Sequence, residues 1–174
     1  MISNDSPTAA KRKLFFALWP DPGARAALAG LLPLVQGRHI PPAKLHLTLA
    51  FLGQQEEARL PMLLSILKRL SVPPMRLQID CFGYFARPRI AWAGMAQPPQ
   101  ALLGMQEQLM AELAAAGFDP ATHGAFKPHI TLAREAKQAP GDAGFAPVRW
   151  DVPQVALVES VVATGEYVPV AFKP

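Results

Sequence analysis

The 174-residue sequence predicts an α+β fold in which two pseudo-symmetric lobes of antiparallel sheet, backed by helices, flank a central cleft. Three observations predict it. An eight-residue stretch occurs twice, as Lys44-Leu45-His46-Leu47-Thr48-Leu49-Ala50-Phe51 and as Lys127-Pro128-His129-Ile130-Thr131-Leu132-Ala133-Arg134, with five positions identical. Apolar residues at helical spacing mark three helices among strand-like runs. Several strands also follow one another with no helix between them, which points to antiparallel pairing and away from a doubly wound sheet. The chain, 1–174, reads as one bilobal domain with residues 1–11 as a flexible tail.

Leu14-Phe15-Phe16-Ala17-Leu18-Trp19 is a short apolar run closed by Pro20-Asp21-Pro22-Gly23, so it reads as a buried strand and a turn. A helix follows from about Pro22, with Leu28, Leu31, Leu32 and Val35 on one face, and Pro33 kinks or ends it. Residues 37–43 read as loop and 45–52 as the first motif strand, with Gly53 as its break. The second helix spans about Arg59 to Leu70. Pro61 lies in its first turn, Leu60, Leu63, Leu64 and Leu67 form its stripe, and Lys68 and Arg69 suit its C-terminal end. Two runs, Arg76–Phe85 and Arg89–Met95, form a hairpin around Ala86-Arg87-Pro88.

Pro98 opens a third helix to about Ala116, with Leu102, Met105, Leu109 and Leu113 on one side and Gly117 as its stop. The second motif strand, 129–134, follows a loop. A polar, Pro- and Gly-rich stretch, 137–147, leads to a terminal hairpin of Val155–Ala163 and Tyr167–Phe172 around Thr164-Gly165-Glu166.

Composition narrows the class of protein. A hydrophobic fraction of 51%, with three Trp and nine Phe, supports a packed core rather than a disordered chain. A single cysteine, Cys81, excludes an internal disulfide and suits a reducing compartment; it reads as a small buried apolar residue. No apolar segment has the length of a membrane span, and the first six residues lack the core of a signal peptide, so the expected location is cytoplasmic. The net charge of +4 agrees with a polyanionic partner without specifying one. Lys11-Arg12-Lys13 reads as a solvated lead-in to the first strand.

The doubled stretch carries the chemistry. Residues i and i+2 of a strand share a face, so each His lies beside its Thr while the intervening apolar residues enter the core. The histidines stand 83 residues apart, at 46 and 129, and the repeat sets two related strands around one site. Two imidazoles divide acid and base work near neutral pH. Thr hydroxyls donate to a non-bridging oxygen, and Arg134 adds a planar, permanently charged fork suited to phosphate. These are the parts for hydrolysing a phosphodiester without a metal. A metal site is disfavoured, because the chain has four histidines and neither motif contains a carboxylate. A Ser-His-Asp arrangement lacks its nucleophile elbow. His39 and His123 sit alone in predicted loops and receive no role.

His46-Leu47-Thr48-Leu49 and His129-Ile130-Thr131-Leu132 resemble the signature of the two-histidine phosphoesterase superfamily. The likeness covers nearly the whole chain, including the Leu14–Trp19 strand, Arg134 and the closing Leu157-Val158-Glu159-Ser160. It is strongest to the bacterial RNA 2′,3′-cyclic phosphodiesterases, also called 2′-5′ RNA ligases or LigT-like proteins. That resemblance implies an enzyme that opens 2′,3′-cyclic phosphate ends of RNA to a 2′-phosphate, with ATP-independent 2′-5′ ligation as a companion activity. It implies no cofactor, a monomer, and RNA ends such as tRNA fragments, or cyclic nucleotides, as partners. It further implies that His129 activates water, His46 protonates the leaving oxygen, Thr48 and Thr131 hold phosphate oxygens, and Arg134 binds the phosphate. Phe51, in register with Arg134, stacks on the terminal base or else belongs to the core. Two alternatives stay open: a related enzyme for small cyclic nucleotides or a cyclic ADP-ribose derivative, and an RNA-end-binding module without turnover.

Overall fold

Leu14 to Leu18 are apolar on both faces, the pattern of a strand covered on two sides. In the computed structural model, which describes residues 9–122, 124–151 and 154–174, this strand lies inside a sheet. It is β1 (Lys11–Trp19), followed by α1 (Pro22–Ala29), β2 (Arg38–His39), β3 (Leu47–Glu56), α2 (Leu60–Arg69), β4 (Arg76–Ile79), β5 (Cys81–Phe85) and β6 (Ile90–Gly94). Then come α3 (Gln100–Ala115), β7 (His129–Arg134), β8 (Val148–Asp151), β9 (Gln154–Ser160) and β10 (Tyr167–Phe172). The main sheet runs β10-β9-β1-β3-β7-β6-β5, with β2 added on β7, and β4 and β8 form a separate pair. The recorded pairings are all antiparallel.

The two motif strands meet at one residue pair, Leu47 with Ile130, and part beyond it. The sheet is thus divided into two lobes, β10-β9-β1-β3 and β7-β6-β5, and the cleft opens where they separate. Leu14, Phe16 and Leu18 from one face of β1 enter a continuous core with Leu28, Leu63, Leu67, Leu109, Leu113, Ile130 and Leu132. Burying each such Leu or Phe contributes roughly 1.5–3 kcal/mol, which fixes the register, since a one-residue slip would turn every one of them to the other face. The opposite face of β1 carries Phe15 and Ala17, which pack with Ala156, Val158, Trp19 and Tyr167 in a smaller cluster.

The helices start and stop for local reasons. Asp21 caps α1 by accepting a 2.8 Å hydrogen bond from the Ala24 N–H, with Pro22 at the first position. Leu31 and Leu32 remain buried, but Pro33 ends α1 early, in a short 3-10 turn over Leu32–Leu34. Lys68 and Arg69 close α2, and Gly117, at φ +81°, ends α3. That helix begins at Gln100, beyond Pro98 and Pro99.

Several boundaries differ from expectation. Of the expected tail, residues 1–8 lie outside the described residues, and its last residue is already in β1. Arg12 there bonds Glu159 at 2.6 Å, so the basic run is part of the sheet and no mere lead-in. Gly53 does not end the first motif strand: at φ +68° it forms a bulge, Leu14 facing Gly53 and Phe15 facing Phe51, and β3 continues to Glu56. The Arg76–Phe85 run divides at Asp80, β4 pairing with β8 and β5 with β6. Strand β8 was not expected. His39 is in β2 rather than a loop, and His123 lies outside the described residues. Cys81 is half-buried rather than fully buried, its thiol pushed up by burial first and by Asp80 next.

Candidate active site

A second bulge occurs at the same place in both motifs. Along β1, Ala17 faces Thr48 and Phe16 faces Ala50, so Leu49 is the extra residue. Along β6, Trp92 faces Thr131 and Ala91 faces Ala133, so Leu132 is the extra residue. A regular strand would put residues five apart on opposite faces. The bulge reverses the alternation once, burying Leu49 with Ala50 and Leu132 with Ala133. Phe51 and Arg134 thereby return to the face of His46 with Thr48 and of His129 with Thr131. The bulged Leu49 carbonyl is taken up by Gln106 of α3 at 3.3 Å.

The Leu47–Ile130 pair fixes how the two motifs meet. Extending that antiparallel register by one residue each way sets Thr48 toward His129 and His46 toward Thr131. The four side chains then relate by a two-fold axis between the central strands. The imidazoles are held alike: Nδ1 of His46 donates to the Lys44 carbonyl at 2.6 Å, and Nδ1 of His129 donates to the Lys127 carbonyl at 2.8 Å. Each ring is therefore the Nδ1–H tautomer when neutral, with its Nε2 lone pair turned outward. Nε2 of His46 lies 2.9 Å from the Thr48 hydroxyl. Among the described residues, Nε2 of His129 has no hydrogen-bond partner.

Aromatic rings wall both histidines. His46 has Phe15 at 4.9 Å, Tyr167 edge-on at 5.5 Å and Trp19 stacked at 6.0 Å. His129 has Phe85 edge-on at 5.0 Å and Trp92 at 5.9 Å. Trp92 lies flat across Gly83, where an added Cβ would come within 2.0 Å of the indole, so the wall requires a glycine there. Lys44 sits over Tyr167 at 4.8 Å, and Lys127 over Phe85 and Trp92 at 5.9 Å each.

Burial among these rings disfavours the charged imidazoles. It pushes His46 down to about 4, with the charges of His129, Arg25 and Arg134 acting in the same direction against the Lys44 carbonyl. His129 is also lowered, by burial first and Lys127 second, against the Lys127 carbonyl. The site thus holds neutral histidines within a ring of cations. Among the described residues no group of three or more His, Cys, Asp or Glu is placed to share a metal ion, and no helix is long and apolar enough to cross a membrane.

A cleft of about 780 Å³ opens on the His129 side, lined among others by Thr48, Phe51, His129, Arg87, Gln106 and Met110. Phe51 is 39% exposed, which removes the core reading of that residue. His46, Thr131 and Arg134 are half-buried and are not among the residues that line this cleft. Sequence reasoning missed Arg25, Gln106 and the aromatic walls. Lys44 and Lys127 carried a signal, being identical in the repeat, whereas Arg25 and Gln106 carried none.

A model of the 2′-5′ RNA ligase superfamily matches residues 21–163. The RNA 2′,3′-cyclic phosphodiesterase of Escherichia coli (strain K12) is 34% identical over 132 residues, covering 74% of this chain and 74% of that one. The protein of the same name from Thermus thermophilus is 35% identical over 168 residues, covering 85% and 81%. The crystal structure of E. coli LigT in apo form superposes with a TM-score of 0.83 at 29% identity, over 95% of this chain and 97% of that one. The chain therefore belongs to the 2′-5′ RNA ligase superfamily.

Proposed function

We propose that this protein is an RNA 2′,3′-cyclic phosphodiesterase working by two-histidine acid–base catalysis. The observation that carries the reading is the matched pair of Nδ1–carbonyl hydrogen bonds, which fixes both tautomers and keeps both Nε2 atoms for proton transfer. Relatives with the same two-lobed fold bear that activity in their names, and the cationic surroundings suit an anionic ester.

In the proposed reaction, Nε2 of His129 removes a proton from water as the water oxygen attacks phosphorus. Its partner-free lone pair beside the open cleft supports the role of base. The P–O3′ bond breaks, and Nε2 of protonated His46 delivers a proton to the departing 3′-oxygen, leaving a 2′-phosphate and a 3′-hydroxyl. Thr48 and Thr131 donate to the non-bridging oxygens and Arg134 neutralises their charge. Phe51, exposed at the cleft, stacks on the terminal base. With a 5′-hydroxyl attacking phosphorus in place of water, His129 taking its proton and His46 protonating the departing 3′-oxygen, the same two histidines support 2′-5′ ligation. RNA fragments ending in a cyclic phosphate, such as those cut from tRNA, are the proposed substrates.

The test is product analysis on an RNA oligonucleotide ending in a 2′,3′-cyclic phosphate, in buffer containing EDTA. The expected products carry a 2′-phosphate and a free 3′-hydroxyl. A 3′-phosphate product, a need for added divalent ion, or turnover of cyclic mononucleotides alone would overturn the reading.

A further inference from the structure

The two histidines are matched in hydrogen bonds and aromatic walls but not in what lies behind those walls. Arg25 of α1 reaches across to the segment that carries His46. Its Nη1 donates to the Pro42 carbonyl at 2.7 Å and to the Leu45 carbonyl at 3.0 Å, the latter on the residue before His46. Its Nη2 lies 3.5 Å from the Pro20 carbonyl. The guanidinium carbon also stands 4.9 Å from the ring centroid of Trp19, and that indole stacks on His46 at 6.0 Å with an interplanar angle of 24°. The Trp19 indole thus packs against both the guanidinium and the His46 imidazole. Trp92, on the His129 side, carries the flexible ammonium of Lys127 instead.

We infer that Arg25 is a positioning residue for His46, clamping the segment that carries it and setting, through a fixed cation, how readily its imidazole gives up a proton. Three carbonyls and one aromatic ring hold the guanidinium, so its charge is more fixed than that of an exposed lysine. A cation within about 11 Å, the sum of the two stacking distances, makes protonated His46 a stronger acid. Burial lowers the affinity of His46 for a proton most, and Arg25 acts in the same direction. Among the described residues, the other charged and titratable groups near His46 are Lys44 on its own segment, His129 and Arg134 from β7, and Tyr167 from β10. The benefit to catalysis rests on His46 being the acid; the effect on its titration does not.

The test follows each histidine by NMR in the free protein, with no substrate. Replacing the cation by a neutral chain of similar length, Arg25→Met, should raise the His46 midpoint by about half to one pH unit and leave His129 nearly unmoved. Arg25→Lys, which keeps the charge, should hold His46 near its wild-type midpoint. Should Arg25→Met not fold, Arg25→Gln retains a donor for the two carbonyls and should show the same rise. In turnover, the neutral variants should lose kcat and Arg25→Lys should recover part of it. A folded neutral variant whose His46 midpoint does not move would overturn the inference, even if its activity falls, since the role would then be structural. A shifted midpoint with unaltered kcat would leave the tuning intact and count against His46 as the acid.

Discussion

Binding a phosphodiester should draw a proton out of solution. In the free protein His46 is held down to about 4, so it is neutral at pH 7 and cannot act as an acid. A diester monoanion roughly 4 Å from the imidazolium is worth about 4 kcal/mol at an effective dielectric of 20, or about three pK units. That returns the bound value to about 7. Because binding raises the pKa, affinity should climb as pH falls from about 7 to about 4, by up to tenfold per unit, and level off once the free imidazole is itself protonated. Calorimetry with a 2′-O-methylated dinucleotide, whose single diester cannot react and keeps its charge, reads this directly in two buffers of different ionisation enthalpy. Uptake should approach one proton at pH 6 and vanish in His46→Ala. Equal heats in both buffers, with an affinity flat from pH 7 to 5, would refute the reasoning. Uptake that survives in His46→Ala would put the proton on His129.

The same lowered pKa bears on stability. The unfolded chain binds a proton on His46 near pH 6.5 and the folded one does so near 4, so stability is complete above about 6.5 and falls by up to about 3 kcal/mol as pH drops to 4; urea denaturation should show His46→Asn with a flatter profile. Phe51→Ala should raise KM by the roughly 1–3 kcal/mol of one base–aromatic contact with unchanged thermal stability, since the ring is exposed; unaltered kinetics would remove it from the site. Gly83→Ala drives a methyl into the Trp92 indole. It should cost about 1–3 kcal/mol of stability and lower kcat through displacement of His129, read by thermal melts beside turnover.

The legible part of the site was the part repeated in sequence. His46 with Thr48 and His129 with Thr131 share a face at spacing two in any strand, so no tertiary information was needed. Phe51 and Arg134 were placed by their register in the repeat, but nothing local shows how residues at odd spacing reach the same face; the bulges at Leu49 and Leu132 do that. The division of one apolar run at Asp80 was illegible because β4 takes its partner from β8, about 70 residues later, and β8 is a four-residue strand behind a Pro- and Gly-rich stretch. Gly53 looked like a strand break because positive φ and strand termination share one sequence signal. Arg25 and Gln106 gave no signal, since their partners are backbone carbonyls whose side chains carry no trace of the contact.

A change of leaving group tests the division of labour between the two histidines most directly. Each proton transfer is worth roughly 10²–10⁴-fold, so His46→Ala and His129→Ala should each lose most turnover on an RNA cyclic phosphate. An ester whose leaving oxygen departs without a proton needs no acid. It should restore most of the rate to His46→Ala and little to His129→Ala, which still lacks its base. Equal rescue of both variants, or of neither, would contradict the assignment, and rescue of His129→Ala alone would mean the roles are reversed.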